Sequence, residues 1–408
     1  MIPIFPINDF APAKPINTHS PILGEATLSG LKNPPPLSLY IHIPWCVKKC
    51  PYCDFNSHES KQEIPEKRYV AALIKDLEQS VPRVYGRKIK SVFFGGGTPS
   101  LFSAESIDEI LSAVRMLTPL EYGAEITLEA NPGTVDTSHF AGYKQAGVNR
   151  VSLGIQSFNP QHLSALGRIH DDKQAQAAAQ RVLNGFEMAN FDLMYGLPNQ
   201  TLDEALADAK TALQFRPTHL SFYHLTLEPN TPFYRTPPSL PDDDLSAEMQ
   251  VQIEALLADA GYVHYETSAF CLPNFQAKHN VNYWQFGDYF GIGAGAHSKL
   301  SYHDKITREA RFKNPKAFMD AAEAGNAVEQ TLVIPQAELG FEFMMNALRL
   351  VDGFEIALFQ QRTGLPIFVL DKQLKTAKEK GLIEITATHI KPTQLGQRFL
   401  NELLQIFL

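Results

Sequence analysis

Short runs of apolar and β-branched residues alternate along most of the chain with longer segments of helical character. Runs of this length, bounded by glycine or polar residues, predict buried strands. Six of them stand between residues 38 and 224: SLYIHI, KSVFF, EITLEA, RVSLGI, NFDLMYG and HLSFYHL. The segments between them carry apolar residues on one helical face and predict helices. These helices are expected over Glu66 to Gln79, Ala104 to Met116, Thr137 to Ala146, Lys173 to Asn184 and Leu202 to Phe215.

This alternation of strand and helix predicts an α/β fold in which parallel strands are joined by right-handed crossovers. Such units close partly into a barrel or spread as a doubly wound sheet, and periodicity does not choose between the two. Either fold binds ligands at the carboxyl ends of its strands. Polar and glycine-rich residues stand at those ends, among them Gly96, Glu129, Gln156 and Asp192. The pattern therefore predicts one binding site at this edge of the sheet.

The two ends of the chain depart from this pattern. Residues 1–36 are rich in proline and carry no sustained apolar period, which predicts a flexible N-terminal extension. The strand and helix units, with the segment that follows them, occupy residues 37–300, and residues 301–330 are expected to form a connector. After about Gln330 the apolar spacing becomes helical, so residues 331–408 predict a small, mainly helical C-terminal domain.

Composition limits the classes of function. With 408 residues, 44% of them hydrophobic, the chain can bury one large core and a smaller one. A formal net charge of -8 argues against general electrostatic attraction to nucleic acid or to an anionic membrane surface. No apolar stretch approaches the roughly 18 residues of a membrane span, and the N-terminus lacks the features of a signal peptide. We expect a cytoplasmic protein without a transmembrane segment.

Three of the four cysteines stand close together directly after the first predicted strand. Cys46, Cys50 and Cys53 have the spacing C-x3-C-x2-C, which offers three thiolates from one short loop. A 4Fe-4S cluster usually takes four cysteines. Three would leave one iron open to bind the amine and carboxylate of S-adenosylmethionine (SAM). The spacing therefore indicates a cluster that binds SAM.

A structural zinc ion is the alternative occupant of this loop. It would be held by the three cysteines together with His42 or His58. Zinc sites more often pair two short ligand loops, whereas this loop is followed by a glycine-rich segment, FFGGGTPS, after the second predicted strand. The context therefore favours the cluster. The distant Cys271 is expected to be a small buried apolar residue.

Residues near later strand ends are candidates to bind SAM. The glycines of FFGGGTPS let a ligand approach the backbone closely, although a triple glycine also forms ordinary tight turns. Glu129 in EANPGT, Gln156 in GIQSF, Arg168 in LGRIH and Asp192 in FDLMYG would contact ribose, carboxylate and amine groups. Structural alternatives are a helix cap for Glu129, a surface ion pair for Arg168 and a buried amide partner for Asp192.

Seven motifs together resemble the HemW branch of the oxygen-independent coproporphyrinogen III oxidase family: SLYIHIPWCVKKCPYCDFNSH, FFGGGTPS, EANPGT, VSLGIQSF, LGRIH, FDLMYGLP and HNVNYWQFGDYFGIGAGAHS. The similarity runs from about Leu37 to the C-terminus. It implies an incomplete (β/α)6 radical SAM barrel, a 4Fe-4S cluster on the three cysteines and the small C-terminal domain of this family. It also implies that SAM is contacted by Tyr40, Tyr52, Gly96, Gly97, Thr98, Glu129, Gln156, Arg168 and Asp192.

Within this family, an oxidase and a haem chaperone are competing interpretations. The oxidases resemble C-x3-C-x2-C-x-C, and this chain has Phe55 at the position of the additional cysteine. The segment HNVNYW fits the haem-binding pattern HNxxYW of the HemW branch, which implies haem contacts from His279, Tyr283 and Trp284, with His279 as candidate axial ligand. Taken without the resemblance, these are hydrogen-bonded or packing side chains. A different radical SAM enzyme is a third interpretation.

The chaperone interpretation also implies binding partners. Haem would be the cargo, haemoproteins would receive it, and an electron donor would reduce the cluster. The resemblance leaves open whether the chain acts as a monomer or a homodimer.

Overall fold

The computed structural model describes residues 31–134 and 137–408. Residues 1–30 of the predicted flexible extension lie outside the described residues. Of the remaining six residues, Leu31 and Pro35 are buried and the other four are exposed. The N–H of Leu31 donates to the carbonyl oxygen of His303 at 3.1 Å. Leu31 joins an apolar cluster made of residues that are distant in the chain.

Strands and α-helices alternate through most of the described residues. The strands are β1 (Leu37–Ile43), β2 (Trp45–Cys46), β3 (His58–Glu59), β4 (Ile89–Gly96), β5 (Leu120–Ala130), β6 (Arg150–Gln156), β7 (Met188–Tyr195), β8 (His219–His224), β9 (Val263–Glu266), β10 (Ala269–Cys271), β11 (Asp288–Ile292), β12 (His297–Ser301), β13 (Ile306–Arg311), β14 (Val328–Val333), β15 (Phe354–Glu355), β16 (Ile383–Ile385) and β17 (His389–Pro392). The α-helices are α1 (Glu66–Ser80), α2 (Ala104–Leu117), α3 (Thr137–Ala146), α4 (Pro160–Ala165), α5 (Asp172–Gly185), α6 (Leu202–Phe215), α7 (Pro232–Arg235), α8 (Asp243–Asp259), α9 (Lys278–Trp284), α10 (Pro315–Glu323), α11 (Leu339–Ala347), α12 (Ile356–Thr363), α13 (Asp371–Glu379), α14 (Gln394–Arg398) and α15 (Leu400–Gln405).

Twelve strands of the described residues form one sheet, in the order β14-β13-β12-β11-β1-β4-β5-β6-β7-β8-β10-β9. The six predicted strands are confirmed as β1, β4, β5, β6, β7 and β8, and neighbours among them pair in parallel. Their order in the sheet follows their order in the chain, as in a β/α barrel, whereas a doubly wound sheet reverses its order. β1 pairs with β4 and β11, and β8 pairs with β7 and β10. The first and last barrel strands are therefore separated by an opening.

The helices between these strands lie where the apolar spacing predicted them. One face of α1 buries Tyr69, Leu73 and Leu77, and full burial of an apolar side chain of this size contributes about 1.5–3 kcal/mol. α6 begins with a capping box in which Thr201 and Glu204 satisfy each other's backbone N–H groups. No helix in the part of the chain that the structure describes is long and apolar enough to span a membrane.

The sheet continues on both sides of the six barrel strands. The sequence pattern did not predict this continuation. The predicted connector, residues 301–330, contains β13, α10 and the start of β14, and it is part of the sheet rather than a linker. β14 is antiparallel and mostly exposed, so it lacks the continuous apolar run of a buried parallel strand. On the other side, β10 pairs antiparallel with β8, and β9 pairs antiparallel with β10.

The C-terminal segment forms a second apolar core. A three-stranded sheet, β15-β17-β16, and helices α11 to α15 surround a cluster that includes Phe343, Phe359 and Leu403. This mainly helical composition agrees with the predicted small C-terminal domain. Leu31 and Phe286 also enter the cluster, although they precede the domain in the chain. The second core is thus attached to the barrel by shared apolar residues.

Candidate functional site

The carboxyl ends of the parallel strands surround a cavity of about 230 Å³. The three clustered cysteines and eight of the nine residues predicted to contact SAM line this cavity. The structure therefore brings together residues from the loop after β1, from β4, β5, β6 and β7, and from the segments that follow β4 and β6. These residues are Cys46, Cys50, Cys53, Tyr52, Gly96, Gly97, Thr98, Glu129, Gln156, Arg168 and Asp192.

The cysteines lie in the loop that follows β1. Cys46 ends the short strand β2, which pairs with β3, and the N–H of Cys53 donates to the carbonyl oxygen of Cys50 at 3.2 Å. Burial raises the pKa of the Cys46 thiol, and it raises the pKa of Cys53 to about 11. These two thiols therefore hold their protons at neutral pH until a metal displaces them. Cys271 lies buried in β10, as the sequence predicted.

The zinc alternative depends on a histidine beside the cysteines. Both ring nitrogens of His42 already have partners: Nε2 lies 2.9 Å from the carbonyl oxygen of Asn56, and Nδ1 lies 3.1 Å from the hydroxyl of Tyr40. Among the described lining residues of the cavity, neither His42 nor His58 occurs. In the described residues, no three His, Cys, Asp or Glu side chains surround one point closely enough to hold a single metal ion. The geometry thus gives no support to a zinc site with His42.

The glycine-rich segment ends β4 beside the cysteine loop. The N–H of Gly97 donates to the carbonyl oxygen of Ile43 at 2.7 Å, and a Cβ on Gly97 would lie 2.5 Å from the carbonyl oxygen of Trp45. Gly96 has φ of +115°, and a Cβ there would meet the His42 ring at 2.5 Å. The glycines therefore allow two backbone segments of the protein to approach each other. This internal constraint adds to their predicted role in admitting a ligand.

Two carboxylates face the cavity: Glu129 from β5 and Asp192 from β7, with β6 between these strands. Oε2 of Glu129 accepts a hydrogen bond from the N–H of Gly96 at 3.2 Å. Burial raises the pKa of Glu129 to about 7, and the nearby Asp192 carboxylate contributes in the same direction. Asp192 accepts from the Ser152 hydroxyl at 2.8 Å and from the Asn190 amide at 2.9 Å. Both carboxylates are therefore held by the protein and directed toward one space.

Arg168 and Gln156 complete the polar wall. Nη1 of Arg168 lies 3.6 Å from the Sγ of Cys50, and Nη2 donates to the carbonyl oxygen of Gly154 at 2.7 Å. The guanidinium of Arg168 thus bridges the cysteine loop and the carboxyl-terminal part of β6. Gln156 ends β6 with φ of 71°, a conformation that is uncommon outside glycine and that often occurs at functional sites.

The two predicted tyrosines differ in position. Tyr52 lines the cavity and packs against Phe233 of α7, with ring centroids 6.4 Å apart. The loop after β8 thereby contacts the cysteine loop across the opening between the first and last barrel strands. Tyr40 is not among the described lining residues. Its hydroxyl lies 3.1 Å from Nδ1 of His42, and its ring stacks on Phe93. Tyr40 therefore packs behind the residues that line the cavity.

The HNVNYW segment forms α9 and lies away from the cavity. His279 is 5% exposed, its Nδ1 lies 3.1 Å from the hydroxyl of Ser91, and its ring packs on Phe93. Ser91 is five residues before Gly96 on β4, which corresponds to about 16 Å along a strand. The structure thus places His279 near the opposite end of the barrel strands from the cysteines.

The aromatic residues of α9 pack toward the C-terminal domain. The guanidinium of Arg349 lies over the Trp284 ring at 5.1 Å from its centroid. Tyr283 packs on Trp284 and on Tyr289, with ring centroids 5.2 Å and 5.0 Å apart. Burial lowers the pKa of His279 to about 3, so its imidazole is neutral at physiological pH. These contacts are those of a packed helix, and they leave the predicted role in haem binding untested.

Several residues of the cavity belong to none of the predicted ligand contacts. Ser152, Met194 and Tyr223 line it from β6, β7 and β8. The alternation of side chains along a strand could have identified Met194, because it stands two residues after Asp192 and points to the same side of the sheet. Phe55 also lines the cavity. Its aromatic ring thus faces the same cavity as the three cysteines.

Comparisons with known proteins agree with this arrangement. Residues 40–212 match the model of the radical SAM superfamily, and residues 334–399 match that of the HemN C-terminal domain. The chain is 47% identical over 376 residues to the heme chaperone HemW of Escherichia coli K12, covering 92% of this chain and 98% of that protein. It is 35% identical over 387 residues to the mitochondrial radical S-adenosyl methionine domain-containing protein 1 of Bos taurus, covering 90% of this chain and 86% of that protein.

A solved structure shares the same architecture. Coproporphyrinogen III oxidase (HemN) from Escherichia coli aligns with a TM-score of 0.78 over 92% of this chain and 90% of that chain, at 23% sequence identity. At this identity, the alignment establishes the fold and carries no conclusion about activity. The predicted α/β radical SAM fold with its C-terminal domain is therefore confirmed.

Proposed function

The chain belongs to the HemW family of radical SAM proteins, and we propose that it binds haem in the cytoplasm and delivers it to recipient haemoproteins. The observation that carries this proposal is the composition of the cavity. It combines three thiols with the groups predicted to contact SAM, and it has Phe55 where the family resemblance expects the additional oxidase cysteine. The same composition counts against the oxidase alternative.

The side chains of the cavity fit a 4Fe-4S cluster and SAM. Cys46, Cys50 and Cys53 would hold the cluster, and one iron would remain open for SAM. When bound, a reduced cluster of this kind supplies an electron to the sulfonium of SAM. Glu129 and Asp192 would accept hydrogen bonds from SAM and attract its positive charge. We also expect a separate electron donor, and a monomer or homodimer as the functional unit.

The affinity for SAM should rise with pH in the range where Glu129 ionises. Because burial raises the pKa of Glu129 to about 7, most of this carboxyl is protonated at pH 6 and ionised at pH 8. Only the ionised form attracts the sulfonium, so we expect SAM to bind about tenfold more tightly at pH 8 than at pH 6. Equilibrium dialysis of cluster-loaded protein measures this difference.

The matched control is Glu129→Gln, which keeps the shape of the side chain and cannot ionise. Its affinity for SAM should be weaker at pH 8 and should vary much less between pH 6 and pH 8. An equal pH dependence in the two proteins would assign the effect to another group and remove Glu129 from the SAM site.

Haem binding through HNVNYW stays a prediction, and replacement of His279 tests it. If the imidazole binds haem iron, His279→Ala should shift the Soret band or weaken haem binding about tenfold or more, while iron in the cluster is unchanged. Since the ring is 5% exposed, ligation requires α9 to move off Ser91 and Phe93. Spectrophotometric haem titration of the anaerobically reconstituted protein provides the measurement.

A packing role for His279 gives a different result. The variant would then lose thermal stability, because a buried ring is removed, yet its bound haem would keep the wild-type spectrum. His303→Ala, at an exposed position, serves as the control for nonspecific haem binding. Restoration of the wild-type Soret band by added imidazole would support ligation, whereas an unchanged spectrum in His279→Ala would exclude it.

A further inference from the structure

A chain of buried hydrogen bonds runs through the barrel interior beneath the cavity. The Asn190 amide donates to Oδ1 of Asp192 at 2.9 Å, and Oδ1 of Asn190 lies 2.6 Å from Nδ1 of His219. Nε2 of His219 lies 2.8 Å from the hydroxyl of Tyr265, which accepts from the N–H of Ala277 at 3.3 Å. The four side chains are each at most 6% exposed. The chain thus connects a wall of the cavity with the residue immediately before α9.

The direction of every hydrogen bond in this chain is determined by its members. The oxygen of the Asn190 amide can only accept, so Nδ1 of His219 must carry the proton. Burial lowers the pKa of His219 well below its ordinary value, so the ring is neutral and Nε2 accepts from the Tyr265 hydroxyl. All donors therefore point toward the Asp192 carboxylate. Hydrogen bonds in such a series polarise one another, and the carboxylate at the end strengthens the whole series.

The other end of the chain holds the start of the helix that carries His279. The first N–H groups of a helix have no partners within it. In α9, the Glu125 carboxylate accepts from the N–H of Lys278 and from the N–H of His279, both at 3.1 Å. The Tyr265 hydroxyl accepts from Ala277. The start of α9 is therefore held by side chains of β5 and β9.

We propose that Asn190, His219 and Tyr265 are positioning residues that couple SAM binding at Asp192 to the attachment of α9. This proposal rests on the SAM site proposed above. A hydrogen bond from SAM to Asp192 would add another donor to this carboxylate. The existing hydrogen bond from Asn190 would then weaken, and the hydrogen bonds behind it in the series would weaken with it. SAM binding would thus loosen the start of α9 and make His279 easier to release from its buried position.

The coupling can be measured without haem, by hydrogen exchange of backbone amides in cluster-loaded protein. With saturating SAM, the amides of residues 277–279 should exchange about five times faster or more, which corresponds to a typical coupling between two sites. Most ligands slow exchange by stabilising the folded state. Local acceleration at α9 would therefore distinguish this mechanism from general stabilisation.

Tyr265→Phe removes one hydroxyl from the chain and should abolish the acceleration while SAM still binds. His219→Asn removes the same hydrogen bond, between Tyr265 and residue 219, by changing its acceptor. The asparagine amide can donate to Asn190 as Nδ1 does, but it has no acceptor at the position of Nε2. The matched control is Tyr262→Phe, which removes another buried tyrosine hydroxyl, one that donates to the carbonyl oxygen of Pro217 at 2.5 Å. It should behave like the wild type.

Two results would overturn the proposal, and electron paramagnetic resonance separates them. Suppose that SAM changes the spectrum of the reduced cluster. The coupling is then refuted, and the SAM site stands, if amide exchange at the start of α9 is unchanged or slower in the wild type. The same conclusion follows if SAM accelerates this exchange equally in the wild type, Tyr265→Phe and His219→Asn. If SAM does not change the spectrum, the SAM site is refuted and the coupling falls with it.

Discussion

Replacing Cys46, Cys50 or Cys53 by serine should remove most of the iron and sulfide from anaerobically reconstituted protein, whereas the wild type should hold about four of each per chain. The three thiols line one cavity and come from one loop, so no other cysteine is placed to substitute for them. A serine hydroxyl keeps the size of the side chain and does not provide the soft thiolate that iron-sulfur clusters select. Chemical analysis of iron and sulfide measures the loss.

The matched control for this prediction is Cys271→Ser. Cys271 is buried in β10 and does not line the cavity, so its replacement should leave iron content unchanged. Each cavity variant should remain folded, because the thiols are only half-buried. Stoichiometric zinc without iron in the anaerobically purified wild type would contradict the cluster and revive the zinc alternative.

The barrel strands and helices could be predicted because their signals are local. The α6 helix, for example, has its apolar period and its capping residues within one segment, and its observed bounds, Leu202–Phe215, are those predicted. The buried parallel strand β6 likewise carries Val151, Leu153 and Ile155 at alternate positions within one short segment. Each of these elements specifies its own boundaries without reference to distant residues.

Elements defined by distant contacts could not be predicted in the same way. β13 forms between β12 and β14, β14 pairs with β13 at the edge of the sheet, and the mostly exposed β14 carries no apolar run. Leu31 looks like part of a proline-rich extension, yet it is buried against the second core. Such positions depend on which surfaces the rest of the fold leaves available, and that information is absent from a local pattern.

The candidate site was predictable where motifs stand at strand ends. The carboxyl ends of parallel strands meet at one edge of the sheet, so Glu129, Gln156 and Asp192 converge although they are distant in the chain. Residues inside the barrel gave no such indication. His219 and Tyr265 look like ordinary strand residues, and only the fold shows that they lie in one hydrogen-bonded series.

We expect the protein to transfer haem and not to decarboxylate coproporphyrinogen III, and this is the second prediction with a large effect. Oxidative decarboxylation of coproporphyrinogen III is the oxidase alternative, and Phe55 occupies the position of the additional oxidase cysteine. The phenyl ring of Phe55 supplies neither a thiol nor a metal ligand. We therefore expect the wild type to bind about one haem per chain, as a single axial-ligand site would require, and to leave coproporphyrinogen III unchanged.

The most direct test of the proposed function follows both activities in one preparation of cluster-loaded protein with SAM and reductant. In one portion, haem-loaded protein is mixed with an apo-haemoprotein, the two are separated, and the Soret absorbance of each is recorded. In the other portion, carbon dioxide released from coproporphyrinogen III is measured. We predict that most of the haem moves to the recipient and that no carbon dioxide appears above the background. Decarboxylation of coproporphyrinogen III by protein that retains and transfers no haem would contradict the chaperone function.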